Sequence, residues 1–224
     1  MVLLNNVSMV YENSGMVAAN GIDLEICDGE FVFLVGPSGS GKTTIIKLLT
    51  GEVKPTDGEI YVNNFNLCMI KSRKLPRLRR TLGVIFQDFR LIDDKSVYEN
   101  VAFAMRVVGA SNKEIKQRVP YVLELVGLEG REKRLPQELS GGKQQRVAIA
   151  RAMVKKPSLV LADEPTANLD AANSHNILQT MLNLNRELKT TFIFATHDEK
   201  VIGYLKRKIF LKDGLVDHEE WINQ

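Results

Sequence analysis

The run Gly36-Pro37-Ser38-Gly39-Ser40-Gly41-Lys42-Thr43-Thr44 combines residue types that together can hold a chain of phosphates. Glycines let successive backbone N–H groups turn toward one centre and form a concave nest for anionic oxygens. A helix beginning at once after them adds unpaired N–H groups and the positive end of its dipole. Lys42 supplies a point charge for β- and γ-phosphates, and the Thr43 hydroxyl is a Mg²⁺ ligand. Residues 36–43 fit Gly-x-x-x-x-Gly-Lys-[Ser/Thr] residue for residue, between the apolar run Phe31 to Val35 and the helix-like spacing of Lys42 to Leu49. A plain glycine turn would leave Lys42 and Thr43 unexplained.

Two further constellations carry chemistry. "SLVLADEPT" ends an apolar run in Asp163 and Glu164. Asp163 can hold Mg²⁺ through water, because that ion keeps most of its hydration shell. Glu164 can orient or deprotonate a water attacking the γ-phosphate. Alone, such a pair is more often a solvated loop; with a phosphate cradle in the same chain, the acidic half-site is the better reading. Upstream, Ser140-Gly141-Gly142 opens a helix with apolar residues at Val147, Ile149, Ala150 and Met153. Ser140 reads as its N-cap, and the two glycines allow close approach by an anion. The ordinary alternative is a cap on an amphipathic helix.

Taken in order, these motifs resemble those of the ABC-type ATPases, over nearly the whole chain. The resemblance implies ATP and Mg²⁺ as ligands, ATP hydrolysis, and a homodimer on ATP binding in which Ser140, Gly141 and Gly142 face the γ-phosphate held by the second copy. It also implies roles for residues with bland readings of their own. Tyr11, otherwise a strand residue, would stack on adenine. Gln87 in "VIFQD", otherwise a polar residue at a strand end, would reach Mg²⁺ and the attacking water. Asp170, a credible helix N-cap, would lie in the loop Asn168-Leu169-Asp170 that crosses the dimer interface. His197 in "FATHD" would contact the γ-phosphate; His175 and His218 lack such placement and read as surface residues. The implied nucleotide-binding set is Tyr11, residues 36–44 (Gly36, Pro37, Ser38, Gly39, Ser40, Gly41, Lys42, Thr43, Thr44), Ser140, Gly141, Gly142 and Asp170. Catalysis falls to Glu164, His197 and Gln87, and the metal to Thr43, Gln87 and Asp163. "QDFRL" and "VYENVAFAMRVVGAS" are most similar to the cell-division branch of the family. That branch implies an FtsX-like transmembrane subunit as partner. The lipoprotein-releasing and macrolide-exporter branches stay open. Lys143, where Gln or Glu is usual, Ala167, where Gly is common, and the acidic "IDDK" depart from the pattern without removing a phosphate ligand.

The elements that must position these residues follow from patterning. The chain has 224 residues, 44% hydrophobic, enough for one substantial core. Its formal charge of +3 is too slight to argue for nucleic acid, and none is expected as a partner. Cys27 and Cys68 show no metal or redox spacing. The start lacks signal-peptide character, and no apolar run approaches the ~20 residues of a membrane span. The expectation is a cytoplasmic protein, peripheral on the inner face of the cell membrane. Continuous apolar runs at Phe31 to Val35, Leu159 to Asp163 and Thr191 to Thr196 predict parallel strands covered on both faces. Helical spacing follows each, at Lys42 to Leu49, Ala171 to Leu188 and residues 199–205. The fold class predicted is α/β: a P-loop parallel-sheet core with an N-terminal antiparallel β subdomain and an inserted α-helical subdomain over residues 87–157, all within a single domain, 1–224. Pro120 is expected to start or kink a helix. Phe89, Leu91 and Val97 look exposed, and the resemblance implies that their segment forms the groove for the membrane subunit. Residues 71–80, "KSRKLPRLRR", read first as a solvated basic face, with anionic lipid as the functional alternative.

Overall fold

The computed structural model describes residues 1–197 and 207–221. They fall into two compact units, one formed by Met1–Arg79 with the described part of Thr191–Gln224, the other by Arg80–Thr190.

The first unit begins with β1 (Val2–Tyr11) and β2 (Met16–Ile26), an antiparallel pair. Along β1, Val2, Leu4, Val7 and Met9 are buried while Asn5 and Asn6 are exposed, an alternation interrupted where the register slips between Leu4 and Val7. With β4 (Asp57–Val62) and β5 (Phe65–Asn66) they form a sheet of order β2-β1-β4-β5. This is the antiparallel N-terminal region read from the sequence. The parallel strands are β3 (Phe31–Val35), β8 (Thr191–Thr196) and β9 (Arg207–Lys212), with β3 central. Phe31 stacks on Phe192 at 5.1 Å and Phe33 on Phe194 at 4.6 Å, so the register Phe31↔Phe192 lines up aromatic pairs along one face of the sheet. The helix α1 (Lys42–Leu49) follows β3, and α2 (Leu75–Thr81) comes later, at the end of the segment Met1–Arg79 and running two residues past it. A last antiparallel strand, β10 (Leu215–Trp221), pairs with β9.

In the second unit, β6 (Leu82–Ile85) and β7 (Leu159–Asp163) pair in parallel, Leu82 opposite Leu159. Around them lie α3 (Val97–Val107), α4 (Asn112–Leu125), α5 (Gly141–Met153) and α6 (Ala171–Leu188). Buried Val101 and Met105 of α3, Val119 and Val122 of α4, and Val147 and Ile149 of α5 supply the apolar packing. Gly83 allows α5 to approach β6, since a Cβ there would stand 3.0 Å from the Ala152 carbonyl oxygen.

Three predicted strands and two predicted helices have the bounds read from the sequence. The helix expected over 199–205 lies outside the described residues. Pro120 sits well inside α4 and does not start it. Ser111 does, through a capping box in which its hydroxyl accepts from the Glu114 amide while the Glu114 carboxylate accepts from the Ser111 amide. Val97, expected to be exposed, is fully buried as the first residue of α3; Phe89 and Leu91 are half-buried. Hydrophobicity alone could not separate a docking residue from a helix-start residue facing the core.

Candidate active site

The residues singled out in the sequence divide between the units. Tyr11, residues 36–44 and His197 belong to the first, and Gln87, residues 140–142, Asp163, Glu164 and Asp170 to the second. Each cluster has its own internal geometry.

In the first, the buried end of β3 delivers Gly36 directly into the turn. A Cβ on Gly36 would lie 2.6 Å from Ser40 Oγ and overlap the Leu211 backbone carbonyl, so only glycine fits. Gly41 is the N-cap of α1 at φ 106°, and it makes no side-chain cap bond. A Cβ there would overlap the Ala18 carbonyl. Gly41 itself thus puts no side chain over the first turn of α1, as suits an anion site. Lys42 is buried and its Nζ donates to the carbonyl oxygens of Gly36 at 2.7 Å and Pro37 at 3.0 Å. The ammonium is thus folded back across the loop. Ser40 Oγ is buried and has no hydrogen-bond partner among the described residues. Thr43 is exposed and Thr44 is buried, with Thr44 Oγ1 3.3 Å from the Tyr11 hydroxyl. That contact sets Tyr11, half-buried at the end of β1, against the first turn of α1. His197 follows β8, is exposed, and borders a 380 Å³ cavity with Val35, Gly36, Pro37 and Asp217.

The second cluster is held by side chains donating to backbone carbonyls. Gln87 is exposed just after β6, and its carbonyl oxygen accepts from Asn168 Nδ2 at 2.9 Å. Next come Phe89 at φ 56° and Arg90 at φ 47°, two successive non-glycine residues in left-handed conformation. The Arg151 guanidinium, from the last turn of α5, donates to both their carbonyl oxygens, at 2.7 Å to Phe89. Burial pushes the Arg151 guanidinium below its ordinary pKa, with Arg90 adding to the fall and Asp88 opposing it. Asp163 ends β7, half-buried, and Glu164 follows at φ 46°, again left-handed. Gln145, fully buried on α5, donates to the Pro165 carbonyl at 2.6 Å and so anchors the turn after Glu164.

Ser140 occupies the N-cap position of α5 with extended backbone angles, but its side chain makes no cap bond. Its exposed hydroxyl and the first amides of α5 are thus unpaired by capping. Gly142 is closed on one side, since a Cβ would sit 2.9 Å from Asn173 Oδ1. Asp170 caps α6, accepting from the Asn173 amide at 2.9 Å and from Asn173 Nδ2 at 2.6 Å. These bonds hold its carboxyl below the ordinary aspartate range. Arg151 and Gln145 escaped the sequence reading. Their signal was a polar residue at a helix position that apolar periodicity assigns to the core.

The donor types fit the implied ligands. Gly36 and Gly41 leave no room for a side chain, Ser40 Oγ is a buried hydroxyl unpartnered among the described residues, and Lys42 brings a charge to the same loop. Thr43, Asp163 and Gln87 offer hard oxygen atoms of the kind Mg²⁺ takes. Among the described residues no helix is long and apolar enough to cross a membrane.

A buried parallel strand, a glycine loop that encloses a lysine, and a helix opening from it define a P-loop nucleotide-binding α/β protein. The chain matches the ABC transporter family over residues 19–167 and belongs to it. It is 47% identical to the cell division ATP-binding protein FtsE of Mycobacterium tuberculosis over 93% of this chain and 90% of that protein. With FtsE of Bacillus subtilis it shares 44% identity over 98% and 96%. Among solved structures, a dimeric post-hydrolysis state of the ATP-binding cassette MJ0796 bound to ADP and Pi superposes with a TM-score of 0.89, at 38% identity and full coverage of both chains.

Proposed function

We propose that the chain is the ATP-hydrolysing subunit of a membrane ABC complex, dimeric when ATP is bound, that works with an FtsX-like transmembrane partner in cell division. The observation that carries the reading is Lys42. A buried ammonium resting on two carbonyl oxygens of its own glycine loop is a charge whose stronger partner is a phosphate.

In this reading Lys42 and the amides of residues 36–44 bind the β- and γ-phosphates, and Tyr11 stacks on adenine. Thr43, Asp163 and Gln87 would hold Mg²⁺, which when bound would supply neutralising charge for the phosphates. Glu164 accepts a proton from water as the water oxygen bonds to the γ-phosphorus. The bond from that phosphorus to the β–γ bridging oxygen breaks, and its electron pair leaves with ADP. His197 donates to the γ-phosphate and Gln87 orients the water. Ser140, Gly141 and Gly142 meet the γ-phosphate of the second copy, and Asp170 lies in the loop that meets that copy. Loss of the shared γ-phosphate loosens the dimer, and the partially buried segment after Gln87 passes the change to the membrane subunit. The cell-division names of the relatives and the dimeric, product-bound state of the structural neighbour support the reading.

Turnover by the purified chain with its membrane partner tests it. Glu164→Gln should lower kcat by about 10²–10⁴-fold while ATP affinity holds. It should also elute as a dimer with ATP and as a smaller species without it. Turnover equal to that of the parent chain removes Glu164 from the mechanism.

A further inference from the structure

We propose that the exposed face of residues 69–77 is a docking surface for the anionic head groups of a lipid bilayer, used by this chain independently of any membrane subunit. The sequence reads this basic run first as a solvated face, with anionic lipid as the alternative, and the structure separates its members. Leu78 is fully buried, and Arg79 donates from Nε to the Thr50 carbonyl at 3.1 Å and from Nη2 to the Gly51 carbonyl at 3.2 Å. Arg79 therefore closes the C-terminal end of α1, the usual structural use of an arginine beside terminal carbonyls. Leu75 packs toward Gly51 on the same side of α2. At helical spacing, Leu75, Leu78 and Arg79 define the inward face, and Arg73, Lys74 and Arg77 fall away from it.

Arg73, Lys74 and Arg77, with Lys71 before them, are exposed, and none has an ion-pair partner among the described residues. No aspartate or glutamate occurs between Glu59 and Asp88, so no nearby acid in the sequence balances them. A protein of formal charge +3 has concentrated four cations on one short surface. Beside them stands Met69, 77% exposed, the most exposed large apolar side chain among the described residues. Water gives an exposed methionine nothing, whereas a bilayer offers the acyl boundary to Met69 and phosphate to the four cations. No aromatic residue lies within residues 69–77 to stack on a base, so single-stranded nucleic acid fits less well.

Sedimentation of the full chain, without partner, against equimolar phosphatidylglycerol–phosphatidylcholine vesicles and against pure phosphatidylcholine tests the proposal. The chain should bind the anionic vesicles, less so as salt rises, and leave the neutral ones in solution. Replacing Lys71, Arg73, Lys74 and Arg77 together by Gln should reduce partitioning by roughly a hundredfold or more, at about fivefold per cation. Met69→Ser should reduce it severalfold with no change in salt dependence. Both variants should bind ATP like the parent chain, which shows that they fold and separates a failure here from a failure of the ATPase reading. Lys71→Arg/Lys74→Arg should retain vesicle binding. Equal binding to neutral vesicles, an unaffected quadruple variant, or displacement of the vesicles by duplex DNA at equal phosphate concentration each overturns the proposal.

Discussion

The glycine loop of the first unit and the glutamine loop of the second each hold an exposed turn in one shape, by opposite means. In residues 36–44 the left-handed positions are Gly39 at φ 83° and Gly41 at φ 106°, conformations that glycine adopts without steric cost. The surrounding backbone, Ala18 against Gly41 and Leu211 against Gly36, closes around atoms that carry no side chain. In residues 87–90 the left-handed positions are Phe89 and Arg90, which cost about 1 kcal/mol or more each. That shape is retained because Arg151 and Asn168 occupy the carbonyls it presents. The first loop is shaped by what its glycines lack, with its own Lys42 bonded across it. The second lasts only as long as side chains from α5 and from the loop before α6 stay bonded to it. A binding cradle gains from permanence, and under the proposed function the segment after Gln87 gains from bonds that can be exchanged.

Gly41→Ala should break the glycine side of this comparison most severely. Its Cβ meets the Ala18 carbonyl at a φ that disfavours any side chain, so a stability loss of about 3 kcal/mol or more is expected in denaturant titration, with ATP binding abolished. Gly39→Ala sharpens the point. A Cβ there has nothing within 4 Å, and only the backbone strain of about 1–2 kcal/mol remains. Equal losses for the two would mean that steric closure around Gly41 is irrelevant.

Arg151→Met tests the other side, with an expected destabilisation of about 2–4 kcal/mol, because two carbonyls lose a charged donor. ATP turnover should fall further than ATP affinity, since the glutamine loop and not the cradle loses its anchor. Arg151→Lys should restore part of the turnover. A parallel fall in affinity and turnover would show that Arg151 does no more than stabilise the fold.

The smallest effect is that of Asp170. Its folded pKa is lowered by bonds from Asn173, so its stabilisation is present above the ordinary aspartate pKa and is lost as pH falls through the lowered value. Asp170→Asn should remove that part of the acid limb of a stability–pH curve while leaving the curve near neutrality almost unchanged. A curve of unaltered shape would show that Asp170 titrates alike in the folded and unfolded chain.

Much of this was legible in the sequence wherever one short segment carried its own signal. Phe31 to Val35 had to be a covered strand, being apolar without interruption, and Lys42 to Leu49 a helix by its spacing. Asp170 was readable as a cap because caps are local. The hairpin Arg207–Trp221 gave no such signal. Arg207 is buried at the start of β9, where it pairs with Glu30 at 2.8 Å and Glu219 at 3.0 Å and donates to the Glu25 carbonyl. Its guanidinium also lies 4.7 Å from the Trp221 ring centre. A charge reads as surface until its partners are known, and these come from both ends of the chain. Val97 was misjudged for the complementary reason: an apolar residue at a helix start looks the same in sequence whichever way it faces.

The sequence by itself determined the cradle, the acidic strand end and the helix that starts at Ser140, because each is a contiguous run whose residue types meet one local chemical demand. Only the tertiary structure decided which groups hold the loops in place. Arg151 reaches Phe89 across 62 residues and Asn168 reaches Gln87 across 81. A hydrogen bond is drawn between neighbours in space, and packing of α5 against β6 makes distant positions into neighbours.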